Sequence, residues 1–323
     1  MDKIREKLDL SVVKSVDLED MAIDFTGPDH WSAILSSDHM IARLVNIPGF
    51  TWPIQQVQLR HQGVDIGRLE SPYTPASVSR GIVTSVIEQT TMSIFEPARS
   101  AYSGFVAALT TQSHHTFAIK GSADIIFNLG FLGTHSITDV DFLSDLTLRG
   151  LNNLPEIQCM AVEDVTYSDI DHEGTAQLEQ TGQNTGRHQL IISVLFDIPN
   201  PSQLSLTLGD LTLGVSYGVK PSPGSKFSSE RPAAEEETRS TIGTITLMSL
   251  ILLQGMNKCR VAKITLDTRL EATQQFLKHI AEEPQMVHMQ GLQGTSKNEA
   301  LAGGLASLAT SFTMPTFTAP APQ

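Results

Sequence analysis

The sequence predicts a mainly β protein of two tandem antiparallel β-sandwich modules, each with an amphipathic helix. Three observations support this fold class. With 323 residues, the chain is long enough for two domains that each bury a core. Thr, Ser, Val, Ile and Leu dominate the composition, which favours strands over long helices. Several apolar landmarks also recur in the same order in the two halves, as expected for a module used twice.

The first landmark is an apolar strand that runs into Ile-Pro. It occurs at Ile47-Pro48-Gly49 and again at Ile198-Pro199. Proline lacks the amide donor of a strand ladder and biases the residue before it toward an extended backbone. Each strand is therefore expected to end here. In the second copy Asn200-Pro201-Ser202 predicts the turn that follows, and Pro48-Gly49 has this role in the first.

The second landmark is an Ile-Gly pair that follows the next strand. Ile66-Gly67 corresponds to Ile242-Gly243, and the strand before the second pair alternates from Leu204 to Val215 except at Gly209-Asp210. That interruption predicts a bulge or a tight turn. The second copy is longer because of residues 220–240, which are rich in Pro, Ser, Glu and Lys. This insertion is predicted to be a disordered surface loop.

Each copy then continues into a helix and a short strand. Pro97 opens the first helix, whose apolar face includes Tyr102, Phe105 and Leu109. The second helix is expected to start near Asp267 or Thr268, with an apolar face of Phe276, Leu277 and Ile280.

These landmarks predict the domain organisation. The first module is placed at 1–148, the second at 149–314 and a disordered tail at 315–323. Within the second module, Ser296 and Glu299 have the spacing of a capping box and predict a last helix.

Charge and hydropathy limit the functional classes. The net charge of −13 argues against nonspecific nucleic-acid binding through a basic face. The apolar run from Ile245 to Leu253 is too short to span a bilayer and predicts a buried strand. The first twenty residues lack the apolar stretch of a signal peptide, so the chain as written is expected in the cytoplasm.

Cys159 and Cys259 allow either one disulfide or two buried free thiols.

The ordered set of motifs in the second copy resembles a fungal family of membrane-anchored proteins of unknown function. Its members have tandem domains of the late-embryogenesis-abundant group 2 type. The resemblance rests on Phe196-x-Ile198-x-Asn200-Pro201-Ser202, Leu208-Gly209-Asp210, Ile242-Gly243, Leu253-x-Gly255-x-Asn257, Gly294-Thr295-Ser296 and Gly150-Leu151-Asn152. The sequence departs from the family at Pro199, at Gln254 and in lacking the N-terminal membrane span.

The resemblance implies a seven-stranded sandwich with a helix, similar to fibronectin type III topology, and no enzyme activity or cofactor. It also implies a membrane of the vacuole or secretory system and an apolar ligand such as a lipid. Two other functions remain open: a structural or protein-interaction module with a partner at the 220–240 loop, and an enzyme acting on a fungal metabolite. The residues expected to carry the architecture are Ile47, Pro48, Gly49, Ile198, Pro199, Asn200, Pro201, Ser202, Gly209, Asp210, Gly255 and Asn257.

Candidate chemical sites are sparse. Asp169–Gly174 resembles the start of a calcium loop, but Gln180 stands where a bidentate Glu is needed. The adjacent His114 and His115 would face opposite sides of a strand, so a shared metal is not expected. Asp139 and Asp141 are interpreted as a solvated sheet face, and Glu235-Glu236-Glu237 as part of a solubilising loop. No nucleophile elbow, phosphate-binding loop or dinucleotide fingerprint is present.

Overall fold

The computed structural model of the chain describes residues 13–44, 50–51, 54–70, 77–79, 82–128, 133–168, 188–219 and 238–321. Over these residues the protein is mainly β, and all pairings between its strands are antiparallel except one.

The first half forms a fibronectin type III-like sandwich. One sheet has the order β1-β2-β7 and the other β9-β8-β4-β5, and a short β5–β7 pairing connects them. The helix α1 (Arg99–Thr111) follows β7 after a 3₁₀ turn at Glu96–Ala98. The strands are β1 (Val13–Asp24), β2 (Ser32–Leu44), β3 (Phe50–Thr51), β4 (Ile54–His61), β5 (Val64–Leu69), β6 (Ser77–Ser79), β7 (Ile82–Ile94), β8 (His114–Asn128) and β9 (Thr134–Arg149).

The second half repeats this strand order. One sheet has the order β10-β11-β14 and the other β13-β12-β15-β16, with β13 and β14 paired between them. The helix α2 (Glu271–Ile280) follows β14, and α3 (Glu299–Leu305) precedes the last strand. The strands are β10 (Gln158–Tyr167), β11 (Gln189–Asn200), β12 (Leu204–Val219), β13 (Thr238–Leu252), β14 (Gly255–Asp267), β15 (Gln285–Gln290) and β16 (Ala309–Met314).

The repeated Ile-Gly pair occupies the same place in both halves, where the two sheets of each sandwich join. Ile66 and Ile242 are fully buried. A β-carbon on Gly67 would lie 2.9 Å from the carbonyl oxygen of Ser93, and one on Gly243 would overlap the carbonyl of Thr265. Each glycine therefore allows its strand to approach the neighbouring sheet closely.

The two halves are joined by a pairing that crosses between them. β1 and β12 pair in parallel from Met21 opposite Leu204 to Asp24 opposite Thr207, so one hydrogen-bonded network runs through both sandwiches. The helices α1 and α3 pack against each other over this junction. Their side chains and those of both sandwiches form one continuous apolar core.

The structure corrects the predicted start of both second-half helices. α2 begins at Glu271, because Asp267 ends β14 and its carboxylate accepts the amide of Arg269. For α3 the N-cap is Asn298 rather than Ser296. The Oδ1 atom of Asn298 accepts the amide of Leu301, and the Ser296 hydroxyl accepts the amide of Asn298 instead.

Two segments expected to be disordered are partly ordered. Residues 238–240 of the predicted insertion belong to β13, where they pair with β12, and 220–237 lie outside the described residues. In the predicted tail, Phe317 and Ala319 are half-buried and pack against the core, because apolar side chains gain free energy by leaving water.

The apolar run from Ile245 to Leu253 forms a strand as predicted, but one of its faces is open to solvent. Ile245, Leu247 and Leu250 are buried, whereas Met248 and Leu253 are 61% and 56% exposed. The prediction of a buried strand is therefore wrong for half of its side chains. The reason is that side chains alternate between the two faces of a strand, and one face of β13 packs against the core.

Candidate functional site

A recess opens where β13 and β14 separate. The two strands pair only between Gly243–Leu247 and Ala262–Leu266. Beyond Leu247, β13 stays with β12 in one sheet, while the preceding part of β14 stays with β11 in the other. The gap between them is a groove of about 300 Å³, called the β13–β14 groove below. It is lined by Thr246, Leu247, Met248, Ser249, Leu250, Cys259, Arg260, Val261, Ala262 and Lys263.

The β13–β14 groove has an apolar floor and a mixed rim. Leu247, Leu250 and Ala262 form the floor and are buried in the core of the second sandwich. Met248 and Val261 stand at the rim and are 61% and 54% exposed. An apolar recess with a few polar groups at its edge is the usual form of a small-molecule site.

Two aspartates bind the strands that flank the groove to their neighbours. The Oδ1 atom of Asp210 accepts the amide of Ser249 at 2.8 Å, and that of Asp197 accepts the amide of Cys259 at 2.8 Å. Ser249 and Cys259 have φ values of 48° and 52°, in the left-handed region that residues with a β-carbon seldom adopt. These bonds tie Ser249 to β12 and Cys259 to β11, the neighbouring strands on either side of the groove.

One end of the groove is closed by the turn between the two strands, and Asn257 organises this turn. Its Oδ1 atom accepts the amide of Leu253 at 2.8 Å, and its Nδ2 atom donates to the carbonyl oxygens of Ile198, Leu253 and Gly255. Gly255 has a φ of 86°, which glycine adopts without strain. Asn257 is buried, so its bonds are shielded from water.

Asn200 and Ser202 lie beside this turn and tie three strands together. The Nδ2 atom of Asn200 donates to the carbonyl oxygens of Leu204 and Leu252 at 2.7 and 3.2 Å. Its Oδ1 atom accepts the Ser202 hydroxyl at 2.6 Å and the Ser202 amide at 3.1 Å. Both side chains are buried. The ends of β11, β12 and β13 are thereby fixed to one another.

The other predicted architectural residues have these positions. Pro199 lies opposite Met256, Ile198 is buried opposite Asn257, and Pro201 follows the end of β11. Gly209 interrupts the register of β12 with a φ of 70°, so the predicted interruption is a bulge and not a turn. Ile47, Pro48 and Gly49 lie outside the described residues.

Arg260 supplies positive charge at the groove. Its Nε atom is buried and has no hydrogen-bond partner among the described residues. Lys263 lines the groove as well, and Lys258 is exposed on the same strand. None of the residues that line the groove is acidic. This concentration of cations is notable in a chain whose net charge is −13.

The cysteines do not form a disulfide in this structure. Cys259 is exposed in the groove, whereas Cys159 is half-buried on β10. Of the two alternatives that the sequence left open, the structure has free thiols, but the expected burial is wrong for Cys259. Burial raises the pKa of Cys159 to about 11, an effect that a hydrogen bond with the backbone of Ala161 partly offsets.

Two enclosed cavities lie deeper in the protein and are smaller. One of about 50 Å³ is lined from both halves, by β1, β12 and the helices α1 and α3. The other, of about 20 Å³, lies within the second sandwich and shares Leu247 and Leu250 with the groove. An apolar cavity of about 150 Å³ is needed to hold benzene, so neither accepts an organic ligand without rearrangement.

The candidate chemical sites do not converge. His115 lies 3.1 Å (Nε2 to Nδ1) from His61, while His114 is exposed on the other face of β8, as expected. Asp139 and Asp141 are exposed, and the amide of Asp139 is bonded to Asp124. Asp169–Gly174 and Glu235–Glu237 lie outside the described residues. Within the described parts of the chain, no group of three or more His, Cys, Asp or Glu could hold a metal ion.

The sequence therefore predicted the turn and bulge residues around the groove but not the groove itself. Asn200, Asp210 and Asn257 stood out because turns and bulges have local signatures. Arg260 and Val261 did not, since nothing local predicts that β13 and β14 separate. The one available signal was the loss of strict alternation at Met248-Ser249.

Comparisons with known proteins add little about function. Residues 69–215 match a protein family described as "Protein of unknown function (DUF3712)", which covers less than half of the chain. No curated protein matches the sequence. Among solved structures, the protein is similar to "Enterococcal surface protein, partial N-terminal region", at 8% identity over 97% of this chain and 96% of that one. The TM-score of 0.16 is too low to indicate a shared fold.

Proposed function

We propose that this protein acts by binding an apolar ligand, such as a lipid, and that the β13–β14 groove is the binding site. The observation that carries the proposal is the size and lining of the groove. Its volume of about 300 Å³ is at the lower end of the range typical of ligand pockets, and its floor is apolar. The enclosed cavities of about 50 and 20 Å³ are too small for this role.

The floor of the groove also offers a route for a longer ligand. Leu247 and Leu250 line both the groove and the cavity of about 20 Å³ beneath it. A ligand chain that displaced these two side chains would enter the apolar interior between the sheets. Transfer of such a chain from water into an apolar environment is favourable by about 0.8 kcal/mol for each methylene.

Association with a membrane surface is part of the same proposal. Ile251, Leu253 and Met256 surround the turn at the closed end of the groove, and they are 41%, 56% and 50% exposed. Clustered exposed apolar side chains on a folded protein often mark a site of membrane or protein contact. Among the described helices, none is both long enough and apolar enough to cross a bilayer.

Native mass spectrometry of the purified protein, followed by solvent extraction, tests for a bound lipid. Binding of the apolar dye Nile red to delipidated protein then tests the site. We expect Met248→Glu to weaken dye binding at least fivefold, because it places a charge at the rim. Met286→Glu is the matched control, since Met286 is 56% exposed on β15 and does not line the groove. Absence of extracted lipid together with equal dye binding by both variants contradicts the proposal.

A protein-interaction module is the second candidate function. It is favoured by β10, which ends the strand order and pairs only with β11 among the described strands. Among the described residues no strand pairs with its other edge, and the backbone groups of such an edge can pair with a strand of another protein. Self-association measured by light scattering for the wild type and for a proline substitution at Met160 tests this function. Unchanged scattering counts against an edge-to-edge partner of this chain.

A further inference from the structure

We infer that the ligand of the β13–β14 groove is an amphiphile with an anionic head, a carboxylate or a phosphate, next to an alkyl chain. This inference rests on the proposed function and adds the chemical class of the ligand. The head would be held by the guanidinium of Arg260, and the chain would lie between Met248 and Val261 on the floor formed by Leu247 and Leu250.

The strand register places Arg260 at the mouth of the groove. Arg260 lies directly opposite Phe196 on β11, and paired residues of neighbouring strands have their side chains on the same face of the sheet. Phe196 is 1% exposed, so this face looks toward the core of the sandwich. Arg260 lies just beyond the part of β14 that pairs with β13. Its side chain therefore projects from β14 into the gap between the two sheets.

The buried Nε atom of Arg260 is a donor that an anion in the groove could accept from. Buried side-chain donors nearly always have a hydrogen-bond partner, and an unsatisfied one calls for a specific explanation. The Nε atom of Arg99 is buried without a partner as well, but its guanidinium lies over the ring of Trp31 at 4.4 Å. Among the described residues no such aromatic partner accompanies Arg260.

The charges around the groove also favour an anion. Arg260 and Lys263 line it and no carboxylate does. Asp197 and Asp210, which do not line the groove, each use Oδ1 to accept the amide of a residue that does. A guanidinium binds carboxylate and phosphate through paired, charge-assisted hydrogen bonds, which are stronger than those between neutral groups.

A medium-chain amphiphile is a suitable probe for a groove of this size. The volume of about 300 Å³ is at the lower end of the range of ligand pockets, so a chain shorter than that of a membrane lipid is the better choice. Decanoate is therefore the probe.

Calorimetric titration of the delipidated full chain with four probes tests the inference. Decanoate has both the head and the chain, decanol has the chain alone, acetate has the head alone, and decyltrimethylammonium has a head of opposite charge. We expect decanoate to bind at least tenfold more tightly than decanol, since a hydrogen bond to a charged group is worth about that factor. Acetate and decyltrimethylammonium should bind more weakly than decanol.

Arg260→Gln should remove the preference for decanoate over decanol. Arg269→Gln is the matched control, because Arg269 carries the same charge but is bonded to Asp267 at the far end of β14. Circular dichroism checks that both variants are folded.

The outcomes separate the two proposals. If decanol binds but Arg260→Gln leaves the decanoate preference intact, the anionic head is wrong and the apolar site stands. If acetate binds as tightly as decanoate, the site takes an anion alone and the amphiphile is wrong. If neither decanoate nor decanol binds, both proposals fail. Repeating the titration with decyl phosphate distinguishes a phosphate head from a carboxylate.

Discussion

Val106 on α1 and Gly304 on α3 pack so closely that a β-carbon added to Gly304 would overlap the side chain of Val106. The two residues belong to different halves of the protein. The glycine that weakens α3 as an isolated helix is therefore the residue that lets the two helices meet. Gly303 makes a similar approach to the hydroxyl of Ser103.

Replacing Gly304 should loosen the junction between the halves. We expect Gly304→Ala to lower the free energy of unfolding by about 1–3 kcal/mol, the usual effect of overpacking a core, although alanine favours the helix itself. Urea denaturation measures this change. Gly27→Ala is the control, because a β-carbon there meets nothing within 4 Å. Equal stability of the two variants would show that the helices are not in tight contact.

Asn298 connects the halves by hydrogen bonds. Its Nδ2 atom donates to the carbonyl oxygens of Phe25 and Ser32, at 3.1 and 3.0 Å. We expect Asn298→Ala to destabilise the protein by about 2 kcal/mol, because buried backbone groups and the end of α3 lose their partner.

Asn298→Asp separates the contribution of the helix cap from that of the hydrogen bonds to the first half. The aspartate keeps the oxygen that caps α3 but cannot donate to Phe25 and Ser32. Lys297→Ala is the control for a neighbouring exposed side chain. If Asn298→Ala is no less stable than Lys297→Ala in thermal and urea unfolding, the hydrogen bonds do not hold the junction together.

The histidine pair of the first half predicts a pH dependence. Burial lowers the pKa of His61 and that of His115, and the charge of His61 lowers the latter further. Below the ordinary pKa of about 6.5 the unfolded chain thus binds more protons than the folded one. The stability from this pair is complete above that value and is lost as pH falls. We expect the urea midpoint to decrease between about pH 7 and pH 5.

His115→Gln should flatten this profile, since one of the two titrating groups is removed. His114→Gln is the matched control, because His114 directly precedes His115 on β8 but is exposed. A midpoint with the same pH dependence in the wild type and in His115→Gln would contradict the assignment.

The two thiols should differ in reactivity. Cys259 is exposed, whereas Cys159 is half-buried with a pKa raised to about 11. The thiolate is the reactive form, so iodoacetamide at pH 8 should modify Cys259 at least tenfold faster than Cys159. Peptide mass spectrometry over time measures both rates in one sample.

The alkylation rate of Cys259 also shows whether a ligand occupies the groove. A ligand in the β13–β14 groove should slow its alkylation and leave the rate at Cys159 unchanged. Decanoate at saturating concentration is the test compound. If the decanoate-bound protein is alkylated at Cys259 at the free rate, the ligand lies elsewhere.

The repeated architecture could be predicted because its signals are local. Ile66-Gly67 and Ile242-Gly243 lie at the same sheet junction in both halves, and Tyr102, Phe105 and Leu109 form the buried face of α1 as their spacing predicts. The start of α2 and the cap of α3 were displaced by two to four residues, because competing side-chain hydrogen bonds decide where a helix begins.

The candidate site was predicted only in part. Asn200, Asp210 and Asn257 were recognised as turn and bulge residues, and the structure places all three around the β13–β14 groove. Arg260 was not recognised, since a lone arginine on a strand has no distinctive pattern. Its importance depends on what surrounds it after folding.

By itself the sequence determined the secondary structure, the doubling of the module and the residues that shape each turn, because these follow from backbone preferences and from alternation over a few residues. The tertiary structure decided the parallel pairing of β1 with β12, the contact of Val106 with Gly304 and the separation of β13 from β14. Each of these depends on strands or helices that are distant in sequence, and their relative positions are set by how the whole core packs.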